Sequence, residues 1–154
     1  LCRASGAIFI VNDDVELAAA VGADGVHLGR DDDAVAEARA RLGPDRIVGA
    51  SCYDQLDLGR SAMAAGADYL AFGSFHSSPT KPGAVRADLG LLRRARRERP
   101  VPLVAIGGIT PENGAALIAA GADMLAVIHA VFGAADTRAA AAAIARLFDR
   151  KESP

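Results

Sequence analysis

Short apolar runs alternate along this chain with Ala- and Leu-rich stretches of helical period. The runs predict strands at 7–12, 25–29, 47–51, 69–73, 103–106 and 124–128. Between and after them the pattern predicts helices at 15–21, 34–41, 56–65, 89–98, 111–120 and 139–150. Strands such as Gly-Val-His-Leu-Gly, Tyr-Leu-Ala-Phe-Gly and Met-Leu-Ala-Val-Ile leave too few polar positions for a sheet with one wet face. They call for a parallel sheet covered by helices. The phrase Gly-Ala-Asp recurs at 22–24, 66–68 and 121–123, each time closing an Ala-rich stretch and opening an apolar run. Its glycine suits a helix C-cap that needs positive φ, and its recurrence marks a repeated unit.

Two architectures accept six β-then-α units in a row: a doubly wound open sheet and a (β/α)8 TIM barrel. No Gly-x-Gly-x-x-Gly opens a helix, which disfavours the dinucleotide-binding open sheet. Polar residues instead collect at the C-terminal end of nearly every strand, where barrel enzymes place their chemistry. The expectation is a single partial TIM-barrel domain over 1–154, lacking the first two strands of eight. The opening, Leu-Cys-Arg-Ala-Ser-Gly, reads as the last turn of a helix and has no initiating methionine, so further sequence is expected before it.

The strand ends carry the candidate chemistry. After the run at 69–73 comes a loop with hydroxyls on Ser77, Ser78 and Thr80 and a charge on Lys81, shaped by Pro79, Pro82 and Gly83. That set suits an anion such as phosphate, against the plainer reading of a solvated turn. Asp13-Asp14 and Asp31-Asp32-Asp33 end two adjacent strands, and a hard cation such as Mg2+ takes one or two such carboxylates. Asp13 and Asp32 are the ligand candidates; the alternative is that the aspartates cap the helices that follow. Gly107-Gly108-Ile109-Thr110-Pro111-Glu112 joins a strand to a helix, with Pro111 fit for the first helical position, and can hold an anion on backbone N–H groups. His27 reads as a buried, hydrogen-bonded core histidine, and Arg93, Arg94, Arg96 and Arg97 as a solvated helix face.

The 154 residues carry a formal net charge of -2, so no global positive field recruits nucleic acid or a membrane surface, and an anion has to be caught locally. No apolar run is long enough to cross a bilayer, and a cytoplasmic protein is expected. Cys2 and Cys52, without metal-type spacing, read as free thiols.

The phrases VNDDVELA, GADGVHLGRDD, GASCYD, GADYLAFGSFHSSPTKPGA, VAIGGITPEN and GADMLAVIHAVF, in this order, resemble the thiamine-phosphate synthase family from Leu1 nearly to the C-terminus. The resemblance implies a phosphate-binding (β/α)8 barrel, a transferase joining a pyrimidine diphosphate to a thiazole phosphate with Mg2+ and releasing pyrophosphate. It implies that Asn12 and Ser51 bind the pyrimidine diphosphate, Ser51 near the bond that breaks, and that Asp13 and Asp32 hold Mg2+. It further gives Ser78, Pro79 and Thr80 to the thiazole phosphate, Lys81 to the pyrophosphate, and Gly108, Ile128 and His129 to closing the thiazole-phosphate site. Ser51 and Lys81 are thereby the catalytic candidates. The expected partners are these two small molecules, with no nucleic acid and no membrane, and a homo-oligomer left open. His129 stands where the family usually has a serine, and His76 where it has an aromatic residue. The family's first two strands, with a Gln/Arg/Lys-bearing strand end, have no counterpart in the chain. A thiazole tautomerase-like member, or a truncated, inactive phosphate-binding fragment, are the alternatives.

Overall fold

The computed structural model describes residues 1–29, 34–77, 83, 85–98 and 101–149. A single 3-10 turn (Arg3–Ser5) precedes β1 (Ile10–Asn12), α1 (Val15–Ala20), β2 (Gly25–Leu28), α2 (Val35–Leu42), β3 (Ile47–Tyr53) and α3 (Leu56–Ala64). Then follow β4 (Tyr69–Phe72), α4 (Leu89–Glu98), β5 (Leu103–Ile106), α5 (Gly114–Ala120), β6 (Met124–Ala126), α6 (His129–Phe132) and α7 (Thr137–Asp149). The six strands lie in the order β1-β2-β3-β4-β5-β6, each parallel to its neighbour. An open doubly wound sheet would reverse direction of winding at a switch point, and this order has none. The result is a TIM-barrel-like half-barrel.

Every second strand residue faces the helices. Val11, Val26, Leu28, Val48, Ala50, Cys52, Leu70, Phe72, Leu103 and Ala105 are buried on that convex side. They form two apolar clusters, one around Val15, Ala18 and Ala38 and a larger one around Leu91, Leu92 and Leu117. Burial pushes the Cys52 thiol up to about 12, which makes it an inert core side chain.

The Gly-Ala-Asp repeat has a physical reason in all three copies. The glycines take positive φ (63°, 98° and 122° at Gly22, Gly66 and Gly121). The alanine after each donates its N–H five residues back, to Ala18, Ala62 and Leu117, which is a Schellman cap. The aspartate then closes a clasp on the preceding strand's chain. Asp24 N–H donates to the Phe9 carbonyl while Phe9 N–H donates to Asp24 Oδ2 (2.9 and 2.7 Å). Asp68 does the same with Val48 (2.7 and 2.7 Å) and Asp123 with Leu103 (2.8 and 3.0 Å). In two copies an arginine from the helix before the clasped strand completes the device: Arg39 pairs with Asp68 and Arg96 with Asp123. Arg39 also donates to the carbonyls of Gly43, Gly66 and Arg46.

The structure differs from the sequence expectation at several boundaries. The first strand is shorter, because Phe9 is held by Asp24 and ladder pairing begins at Ile10↔Gly25. The third runs on to Tyr53 through a bulge between Ser51 and Tyr53. α5 begins at Gly114 rather than Pro111, since Asn113 accepts from Thr110 N–H (2.9 Å) and donates to the Gly108 carbonyl (3.0 Å), holding 108–113 as a turn.

Asp123→Ala orphans the Leu103 N–H and the Arg96 guanidinium, and we expect a loss of about 3 kcal/mol in urea unfolding. Glu16→Ala, which breaks the exposed pair with Arg41, is expected to leave the urea midpoint unchanged.

Candidate active site

The concave side of the sheet carries a row of polar groups. Asn12, His27, Gly49 and Tyr69 stand abreast in the strand register, so they share a face opposite the buried valines and leucines. Gly49 leaves a gap in the row that the Tyr69 ring fills; a Cβ there would overlap the ring. Tyr69 thus reaches across β3 to stack on His27, with ring centroids 5.5 Å apart and planes at 17°. His27 Nδ1 lies 2.9 Å from Tyr69 Oη, and Nε2 lies 2.9 Å from Ser51 Oγ. Burial pushes the Tyr69 phenol up to about 12, so it stays protonated at neutral pH. His27 is hydrogen-bonded, as expected, but it is half-buried rather than buried, and it is joined to a candidate catalytic residue. The alternation Val26-His27-Leu28 was the sequence signal that would have placed it on the concave face.

At the end of β1 the two expected roles of the aspartates separate. Asp14 caps α1, its Oδ1 accepting from Leu17 N–H at 2.8 Å. Asp13 is not used for that cap. It holds a left-handed backbone (φ 69°), its N–H donates to the His27 carbonyl at 2.8 Å, and its carboxylate accepts from Asn12 Nδ2 at 2.5 Å. A non-glycine residue in this conformation carries strain of about 1–2 kcal/mol and is seen at ligand sites more often than elsewhere. An exposed carboxylate is an oxygen ligand of the kind that suits Mg2+.

The second half of the site is built by two interlocked loops. Phe75 N–H donates to the Ile106 carbonyl (3.1 Å) and His76 N–H to the Gly107 carbonyl (3.0 Å). Ser74 Oγ donates to the His76 carbonyl at 2.8 Å, and Arg86 donates to Ser77 Oγ. Gly107 (φ 99°) and Gly108 (φ 59°) lie so close to this loop that a Cβ would overlap Ser74 at the first and the Ser77 and His76 carbonyl oxygens at the second. Their expected service to an anion thus rests on backbone shape as well as on N–H groups. The register Ile106↔Ala126 sets Ile128 level with Gly108, and Ile128 is exposed. His129 opens α6, a single turn too short for a periodicity to reveal.

Asn12, Asp13, Ser51, Gly108, Ile128 and His129 therefore all stand at the carboxyl ends of strands of one sheet. Asp32, Ser78, Pro79, Thr80 and Lys81 lie outside the described residues. Next to the second loop, the Glu112 carboxyl is held below the usual carboxylate range, chiefly by a hydrogen bond from Thr110.

A half-barrel of parallel β/α units with hydroxyl, carboxylate and glycine-rich loops at one mouth defines the TIM-barrel-like class of enzymes. Known proteins narrow that class. A profile of the thiamine monophosphate synthase family matches residues 1–131. The thiamine-phosphate synthase of Thiobacillus denitrificans is 63% identical over 148 residues, which is 96% of this chain and 70% of the relative. That of Thioalkalivibrio sulfidiphilus is 57% identical over 97% of this chain and 71% of its own length. Among solved structures, the thiamine phosphate pyrophosphorylase of Pyrococcus furiosus superposes with a TM-score of 0.87 at 37% identity, covering 99% of this chain and 72% of that one. The chain belongs to the thiamine monophosphate synthase family.

Gly108→Ala meets both a positive φ and the Ser77 carbonyl. We expect it to cost about 2 kcal/mol of stability and at least about tenfold in activity as the loops part. Gly6→Ala, at φ 67° in open space, serves as the control. It is expected to cost about 1 kcal/mol in a melt and to leave turnover unchanged.

Proposed function

We propose that this chain performs the reaction its relatives are named for, joining hydroxymethylpyrimidine diphosphate to thiazole phosphate to give thiamine phosphate and pyrophosphate. The carrying observation is that Asn12-Asp13, Ser51 and the Gly107-Gly108 loop all lie toward the same end of a single parallel sheet, in a chain so similar to named synthases. The six units are read as six of the eight in a (β/α)8 barrel, a reading that the unreversed strand order supports.

The chemistry asks for little covalent help. The bond between the pyrimidine methylene carbon and the diphosphate oxygen breaks, its electron pair leaving with pyrophosphate. The thiazole nitrogen lone pair then forms the new C–N bond. The protein has to neutralise a departing anion and hold two rings together. We assign Ser51 and Asn12 to the diphosphate, Lys81 to the leaving pyrophosphate, and Ser78, Pro79, Thr80, Gly108, Ile128 and His129 to the thiazole phosphate. Asp13 and Asp32 are the residues that would hold Mg2+, which when bound supplies charge neutralisation for the diphosphate. Asp13 fits the role because its carboxylate is exposed and Asp14 has already taken the helix cap.

The test mixes both substrates with Mg2+ and measures pyrophosphate. Release that stops when EDTA removes the metal is expected, and no release overturns the reading. Lys81→Ala is expected to lower the rate by about a hundredfold with an unchanged melting midpoint, as for loss of one donor to a developing anion. An equal fall in stability and rate would assign Lys81 to folding instead.

A further inference from the structure

We propose that His27 and Tyr69 are positioning residues that aim the Ser51 hydroxyl. Tyr69 donates to His27 Nδ1, His27 Nε2–H donates to Ser51 Oγ, and the Ser51 O–H is thereby turned outward, toward the substrate anion. This inference rests on the synthase reading for what Ser51 meets, and on geometry for the rest.

A neutral imidazole has one donor and one acceptor nitrogen, and the hydrogen bond at one fixes the proton at the other. At His27 both nitrogens face hydroxyls at 2.9 Å, so the choice lies with the stronger constraint. Tyr69 is that constraint. Its ring is wedged over Gly49 and stacked on the imidazole, so its oxygen is held by packing rather than by rotation about a single bond. As a protonated phenol it is a better donor than acceptor, and donation to Nδ1 puts the histidine proton on Nε2. Ser51 Oγ then accepts from Nε2–H, and its own proton is left for another acceptor. The opposite tautomer would consume the serine proton on Nε2 and present lone pairs to an anion, which is repulsive. The serine itself sits just before the bulge between Ser51 and Tyr53, where the ladder is irregular and a side chain needs an external guide.

Gly49 is the enabling residue, because any side chain there would push Tyr69 off His27.

The tautomer can be read in the protein without turnover. With 15N-labelled histidine, the His27 signals at a pH where the ring is neutral are expected to show a protonated Nε2 and a bare Nδ1. Tyr69→Phe, which keeps the ring and removes the hydroxyl, is expected to lose that preference. A protonated Nδ1 in the wild type overturns the proposal whatever the enzyme does. Kinetics supply the second arm. His27→Gln places an amide N–H near the Nε2 position and is expected to keep kcat within about threefold, whereas His27→Asn loses about tenfold or more, the scale of one hydrogen bond to a charged group. In Ser51→Ala, adding His27→Asn is expected to cost nothing further in kcat, because its effect runs through Ser51. Additive losses, or equal losses in the Gln and Asn variants, contradict a positioning role. A wild type that releases no pyrophosphate overturns the synthase reading and leaves the tautomer measurement standing on its own.

Discussion

The sheet depends on one small ring of hydrogen bonds used three times. An aspartate gives its N–H to a carbonyl on the adjacent stretch of backbone and takes that residue's N–H on its carboxylate, at Phe9, Val48 and Leu103. A parallel ladder repeats every two residues, and a slip by one would turn every buried valine and leucine to the concave side. The clasp prevents the slip because it fixes one residue of each strand's start against a helix cap that can form in only one place. Arg39 and Arg96 tighten two of the clasps from the side.

With register fixed at the amino ends, the carboxyl ends are free to be irregular, and they are. Asp13 and Tyr53 both hold left-handed backbone (φ 69° and 53°), β3 is bulged, and Gly107 and Gly108 pass against Ser74 and Ser77 without room for a Cβ. Such conformations persist where the surroundings over-determine them, and the rigid amino ends provide those surroundings. Ser51, Asn12, Asp13 and Gly108 all lie toward that irregular end of the sheet.

The sequence showed the alternation of strands and helices clearly, because fully buried strands and Ala-rich helices leave strong periodic traces. It also showed that the glycine of Gly-Ala-Asp ends a helix, a local matter of positive φ. It did not show what the aspartate does, since Asp24 and Phe9 are 15 residues apart and Asp68 and Val48 are 20 apart. Asp13 and Asp14 look alike in sequence, and only the folded backbone separates them: Leu17 N–H reaches Asp14, while Asp13 turns left-handed toward Asn12 and His27. The partners of His27 were hidden for a similar reason: they come from β3 and β4, and only the register brings them to it. α6 was missed because four residues carry no period.

The central claim is a division of labour between the two ends of the sheet. Backbone amide NMR in the presence of Mn2+, a paramagnetic substitute for Mg2+, and pyrophosphate tests it most directly. The account predicts the strongest broadening at the Asn12, Asp13 and Ser51 amides, falling off with distance toward Phe9, Val48 and Leu103. Broadening strongest at the clasped residues, or at no residue, would contradict it.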